Sequence, residues 1–257
     1  MITFNNILFP VDFSKRSHAA APFVLSLAQR YGAKVVLLHA FGPPPPIYGG
    51  MYTKYPGTYD FTGLQAELQP KLVEFAEAEL PKVDTSCVVE LGSPEVVIAE
   101  YAEINRMDLI AMPTHGYGPF RRALLGSVTA KVLHDAKIPV WTDAHAPEPS
   151  HRAHPKPRHI LAALDLKPET LRTLEVALQL GRDAGATVEI VHAAPEGEIA
   201  PKHSETRLQQ VLAEAAREQL VKVQQQAGAE VDLVVDGGSV ATLVRSVALR
   251  RRSDLIV

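Results

Sequence analysis

Ile7-Leu8-Phe9-Pro10-Val11-Asp12 is a short apolar run closed by a carboxylate, and 153 residues later Ile160-Leu161-Ala162-Ala163-Leu164-Asp165 repeats it. At the same offset Gly32-Ala33-Lys34-Val35 falls on Gly185-Ala186-Thr187-Val188, and His39-Ala40 on His192-Ala193. A second match, offset by 146, sets Val88-Val89-Glu90-Leu91-Gly92-Ser93 on Val234-Val235-Asp236-Gly237-Gly238-Ser239 and Asp108-Leu109-Ile110 on Asp254-Leu255-Ile256. Ungapped matches with the same punctuation at both ends read as a tandem duplication.

Within each copy, short apolar runs alternate with amphipathic stretches. Ile7 to Val11 has the continuous apolar character of a strand covered on both faces. Ala20, Phe23, Val24, Leu27 and Ala28 recur at helical spacing, Gly32 ends that helix, and Val35 to Leu38 is the next strand. Leu64, Leu68, Leu72, Phe75 and Ala76 form a second helical stripe, followed by strand Cys87 to Val89. Ser93-Pro94, an N-cap and a first-position proline, opens a helix to about Asn105. Leu109 to Met112 is the fourth strand and Ile138 to Trp141 the fifth. This is the α/β class: two tandem open parallel five-stranded sheets with helices on both faces, the second copy lacking its last helix and strand. Residues 1–145 form the first domain, 146–157 a linker marked by Pro147, Pro149, Pro155 and Pro157, and 158–257 an incomplete second domain.

Composition narrows the function classes. The chain of 257 residues is 46% hydrophobic and 21% charged, enough apolar side chain for two cores. Residues before 145 carry 12 basic and 14 acidic side chains, and those after it 14 and 15. Neither half has the basic excess of a nucleic-acid or anionic-membrane binder. Met1 to Asn6 lacks the charged and apolar regions of a signal peptide, no apolar run approaches a membrane span, and Cys87 is the sole cysteine. A cytoplasmic location is expected.

Parallel sheets bind ligands at the carboxyl ends of strands, where strand order reverses. Asp12 closes a strand that contains Pro10, which cannot donate to a ladder. Its carboxylate is placed either to accept from a ribose hydroxyl or a base, or to cap the following helix. After strand four comes Met112-Pro113-Thr114-His115-Gly116-Tyr117-Gly118-Pro-Phe-Arg121-Arg122-Ala-Leu-Leu-Gly126-Ser127-Val128-Thr129. Gly116 and Gly118 let backbone approach a ligand. Gly126-Ser127 opens a helix whose free amides and positive end suit a phosphate, with the Ser127 and Thr129 hydroxyls nearby. Helix capping and loop turns explain the same glycines separately. His39 and His192 at equivalent strand ends read as half-buried histidines bonded to backbone. The segment Phe41 to Tyr59, with its four consecutive prolines, reads as a loop or lid. Cys87 reads as inert core.

Pro10-Val-Asp12-Phe-Ser14, His39-Ala40, and Thr114-His-Gly116 with nine residues to Gly126-Ser127 resemble the universal stress protein family. The resemblance covers the first copy completely and the second up to Val257. Its ATP-binding members carry Gly-x-x-Gly, nine residues, then Gly-Ser/Thr, and the first of those glycines is here Pro113. The resemblance implies a sheet order of 3-2-1-4-5 and ATP with Mg as ligand. Pro10 and Asp12 would meet adenine and ribose, and the backbone of Ala40 the adenine edge. Met112 to Gly118 would wrap the ribose and α-phosphate, while Gly126, Ser127 and Val128 would hold the outer phosphates. It implies little or no turnover, and partners limited to adenine nucleotide and further copies of the fold: the two halves as a pseudo-dimer, or a homodimer.

Two alternatives stay open: a nucleotide-independent interaction protein in which Pro113 has ended binding, and an adenine-nucleotide α-hydrolase-like enzyme. The phosphate-binding Gly-x-x-x-x-Gly-Lys-Ser/Thr loop and the dinucleotide glycine fingerprint are absent. The second copy retains Asp165 and His192-Ala193 but stops at Asp254 to Val257, where the first copy enters its glycine loop. One nucleotide per chain, in residues 1–145, is the expectation, with residues beyond Val257 left open.

Overall fold

The structure is a computed structural model and describes residues 4–42, 61–114, 126–143, 156–194 and 202–257, with the backbone alone for 143 and 202–208. Two compact units divide the chain, Thr3–His154 and Pro155–Val257.

In the first, β1 (Asn6–Pro10), β2 (Lys34–Phe41), β3 (Thr85–Leu91), β4 (Leu109–Pro113) and β5 (Val140–Asp143) form one parallel sheet in the order β3-β2-β1-β4-β5. Helices α1 (Lys15–Tyr31), α2 (Phe61–Glu79), α3 (Pro94–Ile104) and α4 (Ser127–Asp135) connect them. In the second, β6 (His159–Ala163), β7 (Thr187–Ala194), β8 (Asp232–Gly237) and β9 (Leu255–Ile256) form a parallel sheet in the order β8-β7-β6-β9, with α5 (Thr170–Ala184), α6 (Lys202–Gln226) and α7 (Val240–Arg251). The orders are the same, strand for strand, up to the fourth. Among the described residues no helix is long and apolar enough to cross a membrane.

The apolar run of β1 is continuous because both of its faces are covered. Leu8 joins Ile98, Ala102 and Val132 on the side of α3 and α4. Phe9 points the other way, its ring 6.1 Å from that of Phe75 in α2. Ile7, Leu8 and Phe9 are all fully buried. Ile7 stands in register with Val35 of β2 and with Leu109 of β4. Helix α1 starts at Ser14, whose hydroxyl accepts from the Ser17 amide, and stops at Gly32, left-handed at φ 63°. Gly185 ends α5 in the same way at φ 69°.

Two expectations shift by a few residues. The fifth strand begins at Val140, after Ile138 and Pro139: Pro139 accepts from the Ile110 amide but has no N–H to return. Leu64 is exposed at the start of α2, while Leu72, Phe75 and Ala76 are buried. At that end α2 turns amides to the sheet: Gln65 Nε2 donates to Val89 O (2.8 Å) and Gln69 Nε2 to Cys87 O (3.0 Å). These occupy outward carbonyls of β3, an edge strand otherwise open to pairing with another chain. Arg217 does the same for Val235 O of β8 (2.9 Å).

Each sheet also has a clamp at the opposite end of its central strand. Asp108, just before β4, accepts through Oδ2 from the amides of Asn5 (2.8 Å) and Asn6 (2.9 Å). Asp254, just before β9, accepts from those of Arg158 (2.7 Å) and His159 (3.0 Å). One carboxylate thus satisfies two consecutive amides and ties the first strand to the fourth. Asp108→Ala leaves both donors unmade and is expected to lower unfolding free energy by about 1–3 kcal/mol, with Asp254→Ala acting likewise on the second unit. Urea titration of the two variants checks this, and an unchanged midpoint for both would show the clamps to be dispensable.

Candidate functional site

Strand order reverses at β1: the chain leaves it through α1 to β2 on one side, and α3 delivers β4 to the other. The crevice at a parallel sheet's reversal lies beyond the carboxyl ends of those two strands. What arrives there follows from how each strand stops.

β1 ends at Pro10, in register with Leu38. The Val11 amide makes a last bond to Leu38 O (2.9 Å). The Val11 carbonyl accepts from His39 Nδ1 (2.7 Å), so that nitrogen carries the proton and His39 is a structural histidine, as expected from its position. Phe13 then takes φ 57°, a left-handed conformation for a bulky residue, with its ring 4.7 Å from that of His39 and 6.2 Å from that of Phe75. This kink turns the chain out of the sheet and leaves Asp12 at its rim. Asp12 does not cap α1; Ser14 does. Oδ1 of Asp12 instead accepts from the Ser14 amide (3.0 Å) and the Ser17 hydroxyl (2.6 Å), and among the described residues nothing is bonded to Oδ2. Ala40 lies beside His39 in β2, half-buried and in register with Glu90.

On the other side Met112 is buried, Pro113 ends β4 in register with Asp143, and Thr114 is buried just beyond. The Gly126 amide donates to Thr114 O (2.9 Å), and the Thr129 hydroxyl to Pro113 O (3.0 Å). Thr114 and Gly126 are therefore tied to each other in a hydrogen-bonded neck at the end of β4. His115, Gly116, Tyr117 and Gly118, with Arg121 and Arg122, lie outside the described residues, as does the proline-rich segment 43–60. Gly126 is the N-cap of α4 at φ −58°, ψ 144°, with no side chain closing the helix end. The first-turn amides of Ser127, Val128 and Thr129 meet no acceptor among the described residues. Ser127 is exposed, Val128 half-buried and Thr129 buried. Among the described residues no group of three His, Cys, Asp or Glu side chains is arranged to hold a metal.

The second unit repeats the main contacts of the first side of this site. The His192 Nδ1 bonds Leu164 O (2.7 Å), Leu166 takes φ 60°, and Asp165 Oδ1 accepts from the Lys167 amide (3.2 Å) and the Thr170 hydroxyl (3.5 Å). One contact is new. Lys167 Nζ lies 2.9 Å from Asp165 Oδ2, the oxygen whose counterpart on Asp12 is open. The hydrogen bond from Lys167 holds the Asp165 carboxyl below its ordinary range and raises the lysine in turn.

The model of the universal stress protein family matches residues 3–142 and again 156–257. The chain belongs to the universal stress protein family. A universal stress protein of Thermus aquaticus is 30% identical over 141 residues, 53% of this chain and 96% of that protein. One of Methanocaldococcus jannaschii is 25% identical over 152 residues, 54% of this chain and 94% of its own length. Each thus spans about one copy of the present tandem. A solved universal stress protein structure from Archaeoglobus fulgidus superposes with a TM-score of 0.69 at 21% identity, covering 99% of this chain and 85% of that one. At that identity the likeness speaks for the fold.

Sequence reasoning missed Ser17, the neck between Thr114 and Gly126, and Lys167. Ser17 left a signal in the repeat, since Thr170 stands at the same offset with the same hydroxyl.

The thiol of this universal stress protein is outside the crevice. Cys87 lies in β3, its Sγ donating to Leu72 O (3.5 Å), and burial, then the Glu77 carboxylate, push its titration up. The folded chain keeps this proton to higher pH than the unfolded chain. Stability tied to it is therefore full below the ordinary thiol range and drains away as pH rises through the raised value. At about pH 8.5, near the ordinary thiol value, alkylation of the native protein is expected to run slower than that of the urea-unfolded chain. Equal rates would show a normal, reactive thiol.

Proposed function

We propose that this universal stress protein is a cytoplasmic stress-response regulator that binds one ATP, with Mg, in its first unit and turns it over slowly or not at all. The observation that carries the reading is the pairing, at one reversal point, of a carboxylate oxygen without a partner among the described residues and a helix start without a capping side chain. Asp12 Oδ2 suits a ribose hydroxyl or a base amine, and the backbone of Ala40 the base edge. The amides of Ser127 and Val128 and the positive end of α4 suit phosphate oxygens, with Mg held chiefly by the phosphates themselves. Ser127 is the better placed of the two hydroxyls, because Thr129 gives its proton to Pro113 O. Pro10, Met112, Pro113 and Thr114 supply the walls at the two strand ends, and His115, Gly116, Tyr117 and Gly118 are assigned to the ribose and α-phosphate.

Slow turnover fits the same geometry. Catalysis of hydrolysis needs a base within reach of a water. In this reading Asp12 Oδ2 is committed to the nucleoside, and His39, held through Nδ1 at the end of β1, lies beside Ala40 on the base side rather than at the outer phosphates. The second unit is proposed to stay free of nucleotide because Lys167 neutralises the oxygen that Asp12 offers.

Gly126 has a backbone that any residue adopts, and aspartate is a favoured N-cap, so Gly126→Asp is expected to fold with unchanged or slightly higher stability. Its carboxylate would claim the first-turn amides and repel phosphate, and ATP binding should be lost. Asp12→Ala is expected to weaken ATP by roughly 1–3 kcal/mol while leaving inorganic triphosphate nearly unaffected. Titration calorimetry reads both. Undiminished ATP binding by folded Gly126→Asp would remove the site, and a native protein that binds no ATP would favour a nucleotide-independent interaction protein.

A further inference from the structure

We infer that Ser17 is a positioning residue for the proposed nucleotide site, acting only through Asp12 by turning its second carboxylate oxygen into the crevice. The inference rests on the reading of Asp12 as a ligand-facing group.

Ser17 lies in the first turn of α1, 1% exposed, where a polar side chain needs a partner. Both ends of its hydroxyl are used on one residue. It donates to Asp12 Oδ1 at 2.6 Å, the length of a charge-assisted O–H···O⁻ bond, and its Oγ accepts from the Asp12 amide at 3.2 Å. With the Ser14 amide on the same Oδ1 at 3.0 Å, the carboxylate is gripped by one oxygen from two directions. A carboxylate held so has little freedom to rotate, and Oδ2 keeps one direction before any ligand arrives. Such preorganisation reduces the ordering cost of binding.

Capping does not account for this arrangement. Ser14 already caps α1 through the Ser17 amide, and Ser17 keeps that bond whatever its side chain does. The second unit supplies an internal contrast. There Thr170 stands 3.5 Å from Asp165 Oδ1, the longest of these bonds, and Oδ2 is taken by Lys167. The grip is tight in the unit where Oδ2 is open and loose in the unit where it is occupied.

The test is a double-mutant cycle on the full chain, with adenosine as the probe and calorimetry as the readout. Ser17→Ala is expected to weaken adenosine roughly three- to tenfold and to leave inorganic triphosphate unchanged. Ser17→Thr, which keeps the hydroxyl, should stay within about twofold of the native protein. In an Asp12→Ala background, Ser17→Ala should cost nothing more, because its only route to the ligand is gone. Urea titration of each variant separates binding from folding. Additive losses in the double variant, or equal losses for alanine and threonine, would overturn the inference while leaving the Asp12 site intact. Asp12→Ala with unchanged adenosine affinity would instead remove the site reading, and this inference with it.

Discussion

The backbone of β1 is flanked by a parallel strand on each edge and a helical layer on each face, so every amide and carbonyl in it must find a partner inside the protein. Most of what surrounds the strand can be traced to that requirement. At its start, two amides run past the end of β4 and are met by the Asp108 carboxylate. At its end, Pro10 offers no amide, Val11 makes one more ladder bond, and the Val11 carbonyl is taken by His39. With its partners used up, the chain has to leave the sheet, and it does so beside the one neighbour whose connection runs the other way. The crevice lies where the ladder of the central strand stops.

The second unit shows which parts of this solution are obligatory. Phe9-Pro10 of the first central strand is Ala162-Ala163 in the second, yet the histidine, the left-handed residue after the aspartate, the hydroxyl one turn into the helix and the aspartate clamp all recur. What varies is the position two residues after the aspartate. Ser14 in one unit is Lys167 in the other, and that exchange alone fills the outer oxygen of the carboxylate. A frame that satisfies backbone groups tolerates little change, whereas this position, a buried N-cap serine in one unit, carries in the other a lysine that makes an accepting oxygen half of an exposed ion pair.

Strands β1, β2, β4 and the helices between them were legible because burial on two faces writes continuous apolar runs and helical stripes into the sequence. The repeat added boundaries that periodicity alone leaves open, at Gly32 and Gly185. His39 was legible for the same reason. Less legible were groups that act on partners distant in the chain. Nothing near Asp108 announces that it serves amides about a hundred positions earlier, and the i, i+4 pair of Gln65 and Gln69 reads as solvated surface until β3 is placed beside it. Asp12 was open between ligand and N-cap because Ser14, two residues on, can perform the cap equally well. Only geometry separates them. Of the glycine loop, the sequence marks both ends, and the structure describes the neck that joins them.

Phe13 adds a cost that the frame has to bear. A non-glycine residue in the left-handed region is disfavoured by roughly 1–2 kcal/mol, and both units place one there, Phe13 and Leu166. Glycine would relax the turn, but it would also restore the freedom of the aspartate just before it. Phe13 is held in place by His39 on one side and Phe75 on the other. His39 is in turn fixed by the Val11 carbonyl that ends the ladder. The strained residue, the histidine and the strand end therefore form one closed set of contacts, with Asp12 as its outermost member. Strain at a strand end is retained when the surrounding packing over-determines it. Here that packing is the same sheet-ending hydrogen bond that sends the chain outward, so the termination of β1 and the direction of the Asp12 carboxylate are one structural event.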